Sequence, residues 1–460
     1  MGGDRRMSLP EGKERAFALA AAAYYAVMVG IAGYRAYKMR ETRQKMFGTD
    51  DIQATALQLT DKEKNGLRET ASALASSGRG ILAADESVGT VGKRLEKAGL
   101  TNDFETRRRY REVLFSCDGL GEYLAGAILF EETLMEQNHS DGRTFVEVLQ
   151  DSGVLVGIKT DKGLQPLPYS PKETWTAGMD SLLERSRKYY ERGARFAKWR
   201  AVIRITRGAD GKVVQLLQGP QDPFKPPFMR QGRMCIPFLS AGNEHASLPS
   251  SDAVELNAKQ LAAYAVISQR AGLVPIVEPE VLIEGDHTAE EFAQVSEMVL
   301  GAVYGELARA GVYLEGTLLK PQMMMAGIDA QTKHTREELV DLTLQVLRRR
   351  VPPAVPGVMF LSGGQSEEEA TMNLSALNVA AAADPRHPWT LSFSFGRSLQ
   401  GSVLEIWQGR DENNAEAVAM AGALAAANAK AQKGEWGAEA HPSVLSGKSM
   451  HDPNRGWQGK

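Results

Sequence analysis

Cysteine is nearly absent from this chain of 460 residues: only Cys117 and Cys235 occur, in unrelated contexts. That excludes a disulfide framework and a thiolate metal site, and it fits a reducing compartment. Histidine is sparse as well. His139, His245, His287, His334, His387, His441 and His451 include no pair at HxH or HxxxH spacing, so a histidine-rich zinc site has no basis. No metal and no cofactor is expected. A net charge of -3 gives no electrostatic reason to expect a nucleic-acid partner. No dinucleotide-type glycine fingerprint follows the first strand-like run, and no tyrosine occurs after Tyr313.

One long apolar run does occur, at the amino end. Residues 16–34, "AFALAAAAYYAVMVGIAGY", carry no charge and would form a helix of about 28 Å, close to one hydrocarbon core. Ala18, Ala22, Ala26 and Gly30 recur at four-residue spacing, the small-residue stripe along which membrane helices pack. Arg35, Lys38, Arg40, Arg43 and Lys45 follow, against the single acid Glu41. The reading is a membrane anchor whose basic flank leaves the large C-terminal part facing cytosol or an organelle matrix or stroma; without the anchor the protein would be cytoplasmic. A helix docked on a protein partner is the alternative. A cleaved secretory signal would be shorter, a transit peptide would lack Asp4, Glu11 and Glu14, and Arg6 stands where a myristoylation motif has Ser or Thr.

From about residue 60 to 408 the chain repeats one unit, a short apolar run followed by a helical stretch. The strand-like runs are "GILAAD" (80–85), "AGAILF" (125–130), "LVGIKT" (155–160), "FAKWRAVI" (196–203), "VPIVEPE" (274–280), "YLEGTLLK" (313–320), "GVMFLSG" (357–363) and "TLSFSFG" (390–396). Strands alternating with helices imply a parallel sheet, and eight such units imply a closed (β/α)8 TIM barrel of the α/β class. The expected layout is an extension over 1–50, a barrel over 51–410 and a C-terminal helix with polar tail over 411–460. An insertion of mixed proline and apolar character over about 207–250 reads as a docking loop or a surface excursion.

Charged and polar groups gather at the ends of these runs. Asp85, Lys159, Lys198, Glu278, Lys320, Ser362 and Arg397 all fall in or just after what reads as the C-terminal half of a strand, the catalytic side of such a barrel. Alternate strand residues share a face, so Lys198 with Arg200, and Glu278 with Glu280, point into the barrel mouth. A buried lysine beside a second cation is a candidate nucleophilic amine, and Lys320, with Lys198 as the like charge, fits that description. Asp85 and Glu278 offer carboxyl groups for proton transfer. Gly363 and Gly364 in "LSGGQ" and Gly396 with Arg397 in "FGR" offer backbone amides and a guanidinium to a phosphate. Lys159 and the "DESVGT" turn offer a second phosphate site. The set suits a bis-phosphorylated carbonyl compound processed through a Schiff base.

"GILAADES", "FAKWR", "VPIVEPE", "LEGTLLKP", "VPPAVPGVMFLSGGQSEEEA" and "SFGR" resemble the motifs of class I fructose-bisphosphate aldolases over about residues 55–410. The resemblance implies reversible cleavage of fructose 1,6-bisphosphate to dihydroxyacetone phosphate and glyceraldehyde 3-phosphate, with no metal, in a homotetramer. By it, Lys320 matches the Schiff-base lysine and Glu278 the acid/base glutamate, while Asp85, Lys198 and Glu280 assist proton transfer. Ser362, Gly363 and Arg397 match the site for the ketose C1 phosphate; Ser87, Thr90 and Lys159 match the far phosphate site, with Arg94 nearby. A structural ion pair under the site is the alternative for Arg200 and Glu280. Thr90 stands where serine is usual and Phe395 where tyrosine is. Members commonly end on a tyrosine that speeds proton exchange on the enamine; here the chain ends "MHDPNRGWQGK", so slow enamine protonation is expected. Another class of function stays open: a barrel kept as a tethering subunit of a membrane complex, for which an intact catalytic set would have no use.

Overall fold

The computed structural model describes residues 58–167, 170–207, 249–437, 439–445 and 447–451, with the backbone of 229–230 and 233–234. The apolar run at 16–34, nearly all of the insertion at 207–250 and the end of the tail with Trp457 lie outside the described residues. Among the described residues no helix is long and apolar enough to cross a membrane.

Eight parallel strands close into a barrel in sequential order. They are β1 (Gly80–Ala84), β2 (Leu124–Leu129), β3 (Leu155–Lys159), β4 (Phe196–Ile203), β5 (Val274–Val281), β6 (Leu318–Leu319), β7 (Gly357–Phe360) and β8 (Thr390–Phe395), and β8 pairs back onto β1. Helices between them form the outer layer. Several of those helices begin with the same device, in which a Ser or Thr caps the third backbone amide while a Glu side chain three residues on reaches back. Thr288 with Glu291, Thr335 with Glu338 and Ser366 with Glu369 are such pairs. The helix Asn414–Gln432 packs its alanines into the same outer core, through Ala417, Ala421 and Leu424.

Period-two alternation sorts the strand residues. Trp199 of β4 points outward onto Tyr264, and Phe393 and Phe395 of β8 join the outer core. Inside the barrel, Ile81, Ala83, Ile128, Phe196, Val274, Ile276, Leu318 and Met359 make a separate apolar floor. The helix Asp61–Leu74 plugs it from below with Leu67, Ala71 and Leu74.

Two strands differ from the sequence expectation. The run 313–320 supplies only Leu318 and Leu319 as strand, because Leu314–Gly316 form a 3-10 turn. The Gln269 side chain donates to the Tyr313 and Gly316 carbonyls there, taking acceptors a neighbouring strand would otherwise use. Lys198 stands third in β4, not in its C-terminal half, and is level with Lys159, the last residue of β3. β4 and β5 run on past the rim, where an antiparallel hairpin, Leu164–Leu167 with Ser170–Thr176, leans on β4. Thr176 and Thr174 hydroxyls donate to the Arg200 and Val202 carbonyls.

Candidate active site

Above the apolar floor the inward residues become ionic and line a cavity of about 630 Å³ at the C-terminal mouth of the barrel. Lys320 and Glu278 are both almost fully buried, and Lys320 Nζ lies 3.4 Å from Glu278 Oε1. The other oxygen of Glu278 lies 3.4 Å from Lys198 Nζ, so one carboxylate stands between two amines. Lys198 also meets Asp85 Oδ2 at 2.8 Å and Asp161 Oδ2 at 3.7 Å. Burial works against its charge, but Asp85, Glu278 and Asp161 outweigh burial and raise its pKa. Burial likewise pushes the Asp85 carboxyl upward. Lys198, and behind it Lys320 and Lys159, hold it well below the usual carboxylate range. Asp85 is therefore a carboxylate, and Lys198 an ammonium, at neutral pH.

The two flanks of the cavity are built differently. On one side lie Ser362, Gly396 and Arg397, from the turns after β7 and β8. Gly363 and Gly364 have φ of +51° and +87°, and a side chain at Gly363 would overlap the Gln322 amide, so the "SGG" turn needs glycine twice. Arg397 donates to the main-chain carbonyl of Met450, and the Met450 amide and Ser449 hydroxyl bond to the Gly364 carbonyl at 3.0 and 2.9 Å. The tail thus runs across this flank. On the other side the helix Val88–Lys97 starts at the cavity, with the Ser87 and Thr90 hydroxyls 3.0 Å apart at its N-terminus, where exposed amides favour an anion. Arg94 reaches Glu86 at 2.5 Å and Lys159 reaches Asp161 at 2.6 Å. Burial raises the Glu86 carboxyl, but Arg94 and then Arg111 bring its pKa below the usual value.

The sequence profile of the family described as fructose-bisphosphate aldolase class-I matches residues 66–216 and 240–455. The chain belongs to the class I fructose-bisphosphate aldolases. It is 46% identical over 373 residues to fructose-bisphosphate aldolase 3, chloroplastic, of Arabidopsis thaliana, covering 81% of this chain and 84% of that one. It is 44% identical over 382 residues to the aldolase of Dictyostelium discoideum, covering 83% and 95%. Among solved structures, the Plasmodium falciparum aldolase in a ternary complex with TRAP and a small-molecule inhibitor superposes with a TM-score of 0.72 at 42% identity, over 84% of this chain and 99% of that one. The activity is that of the family, a lyase that reversibly cleaves fructose 1,6-bisphosphate through a lysine Schiff base. The gap in the profile match, 217–239, falls inside the segment read from sequence as an insertion.

With the aldolase reaction in view, the residues sort plainly. Asp85, Lys198, Glu278 and Lys320 meet in one cluster, and Ser87, Thr90, Arg94, Lys159 and Arg200 join them on the cavity wall. Glu280, Gly363 and Gly364 are not on that wall. Glu280 pairs with the Arg200 guanidinium from the adjacent strand, and the two glycines shape the turn from behind. Lys198 is the like charge expected near Lys320, and Glu278 stands between the two amines. Sequence reasoning overlooked Asp161, Glu86 and Ser394, all on the wall. Asp161 and Ser394 had a signal in the period of two: Asp161 follows Lys159 by two residues, and Ser394 precedes Gly396 by two. Phe395, where aldolases usually carry tyrosine, is fully buried beside Phe393, with ring centroids 5.5 Å apart.

Proposed function

We propose that Lys320 is the nucleophile of this aldolase, with Glu278 as its acid/base partner and Asp85 with Lys198 as the proton-handling pair at the bond that breaks. The amine attacks the C2 carbonyl of the ketose; a proton passes to the carbinolamine oxygen, and water leaves to give the iminium. Loss of the C4 hydroxyl proton to a carboxylate lets the C3–C4 pair move into the iminium. The aldehyde departs and an enamine remains, to be protonated and hydrolysed. Asp85, held ionised, suits the acceptor role at C4. The observation that carries this reading is the position of Glu278, 3.4 Å from both Lys320 and Lys198. It can pass protons to and from the nitrogen without leaving its own charge unpaired.

The flank with Ser362, Gly396 and Arg397 would take the C1 phosphate, and Ser87, Thr90, Arg94 and Lys159 the far one. Arg200 would hold the substrate between them, kept in place by Glu280. Borohydride trapping with dihydroxyacetone phosphate, followed by peptide mapping, tests the nucleophile. The label is expected on Lys320 and absent from Lys320→Arg, whose guanidinium stays protonated. A label that persists in that variant assigns the Schiff base to another lysine.

A further inference from the structure

Asp161 is a buried carboxylate to which the reading above gives no part. It follows β3 by two residues, and its two oxygens do different things. Oδ1 takes the Lys159 ammonium at 2.6 Å and the Gly163 amide at 3.3 Å, while Lys159 also donates to the main-chain carbonyl of Asp161 at 2.7 Å. Oδ2 is fully buried, lacks a hydrogen-bond partner among the described residues and lies 3.7 Å from Lys198 Nζ. Lys159 and Lys198 are register partners on neighbouring strands, so two ammonium groups share one stretch of cavity wall with Asp161 facing both. An ammonium has three protons. Lys159 gives two of them to Asp161 and keeps one for the cavity, and the acids around Lys198 are Asp85, Glu278 and Asp161.

We propose that Asp161 is a positioning residue of the reaction: its charge lets Lys159 and Lys198 stand side by side as ammonium ions, one aimed at the far phosphate and the other at proton transfer. The proposal rests on the roles given to those two lysines above. The charged groups around Lys198 are Asp85 just after β1, Lys159 and Asp161 at the end of β3, Glu278 from β5 and Lys320 after β6; Arg200 on its own strand is paired to Glu280. Without Asp161, two acids face three amines, and Lys198 loses its proton at a lower pH.

Asp161→Asn keeps an oxygen for Lys159 and removes the charge. In the full-length protein, the alkaline limb of kcat for fructose 1,6-bisphosphate cleavage should move down by about one unit, so that kcat measured on that limb falls about tenfold while kcat near neutral pH changes less. KM should change less than about threefold, and Lys320 should still be trapped by borohydride. Removing the competing charge should restore the limb: the double variant Asp161→Asn/Lys159→Met is expected to regain the parental pH profile while its KM for the bisphosphate rises. A folded Asp161→Asn with unchanged kcat and alkaline limb overturns the proposal. So does a double variant that keeps the shifted limb, or one that, like the single variant, fails to fold, since Asp161 is then structural. Failure to trap Lys320 in the parent protein is a separate result and counts against the Schiff-base assignment instead.

Discussion

Within two residues along a single strand, the inside of this barrel changes from oil to ions. Phe196 lies two residues below Lys198, Ile276 two below Glu278, Leu318 two below Lys320 and Ala83 two below Asp85, all facing inward. The lower residues form an apolar floor over the plug helix, and burial of their side chains stabilises the molecule by roughly 25 cal/mol per Å². The upper residues are nearly as buried but ionic, and burying an ion costs several kcal/mol unless partners compensate. The two levels therefore answer to different rules. The floor needs volume and shape; the rim needs every charge in place, because each is the partner that makes its neighbour tolerable. Stability and chemistry should separate when side chains are exchanged at one level and not the other.

The rim should respond most to Lys198→Met. On the role proposed for Lys198, proton transfer at the scissile bond loses its ammonium, and turnover should drop by about 10²- to 10⁴-fold. Asp85 also loses the cation at 2.8 Å, and breaking a buried pair costs roughly 3–5 kcal/mol. The pH dependence should change as well. In the parent, Asp85 has a folded pKa below its unfolded one, so its stabilisation is present above the unfolded value and lost as pH falls through the folded one. In the variant burial acts with less opposition, and protonating Asp85 relieves it, so stability should fall less from pH 7 to pH 4, or rise. Melting curves across that range decide: a slope as steep as the parent's would mean that Lys198 is not what holds the carboxylate ionised.

Arg397→Ala should have a smaller effect, confined to binding. A hydrogen bond to a charged group is worth about 1.5–3 kcal/mol, so KM for the bisphosphate should rise roughly 10- to 100-fold with kcat changed little. Arg397 also holds the Met450 carbonyl, so the tail should loosen in the same variant, visible as faster proteolysis near residue 448. An unchanged KM would place the phosphate elsewhere.

The same division explains what could be read without coordinates. The floor and most of the rim follow from local periodicity, so seven strand-like runs correspond closely to strands, and Asp85, Lys198, Glu278 and Lys320 could be assigned to one mouth. What stayed hidden depends on partners far along the chain. β6 is short because Gln269 occupies the carbonyls of Tyr313 and Gly316. Arg397 is engaged by Met450, 53 positions on, and Glu278 stands between Lys198 and Lys320, a placement that no local spacing announces. Asp161 has a local signal, but its value appears only once Lys159 and Lys198 are known to be register partners.

The smallest effect on turnover is expected from the floor, and it sharpens the comparison most. Met359 on β7 is fully buried among the apolar residues over the plug helix, and Ser362 of the rim lies three residues further along the chain. Met359→Ala removes packed volume that the closed barrel cannot easily collapse to fill, at a cost of about 2–5 kcal/mol. Denaturant melts should show that loss as a lower midpoint with an unchanged slope. Lys320, Glu278, Lys198 and Asp85 retain their partners, since none of their ion pairs involves Met359. At a temperature where the variant is still folded, kcat and KM should stay within about twofold of the parent. A large fall in kcat under those conditions would mean that the floor sets the ionic geometry above it, and the two levels of the barrel would then have to be treated as one.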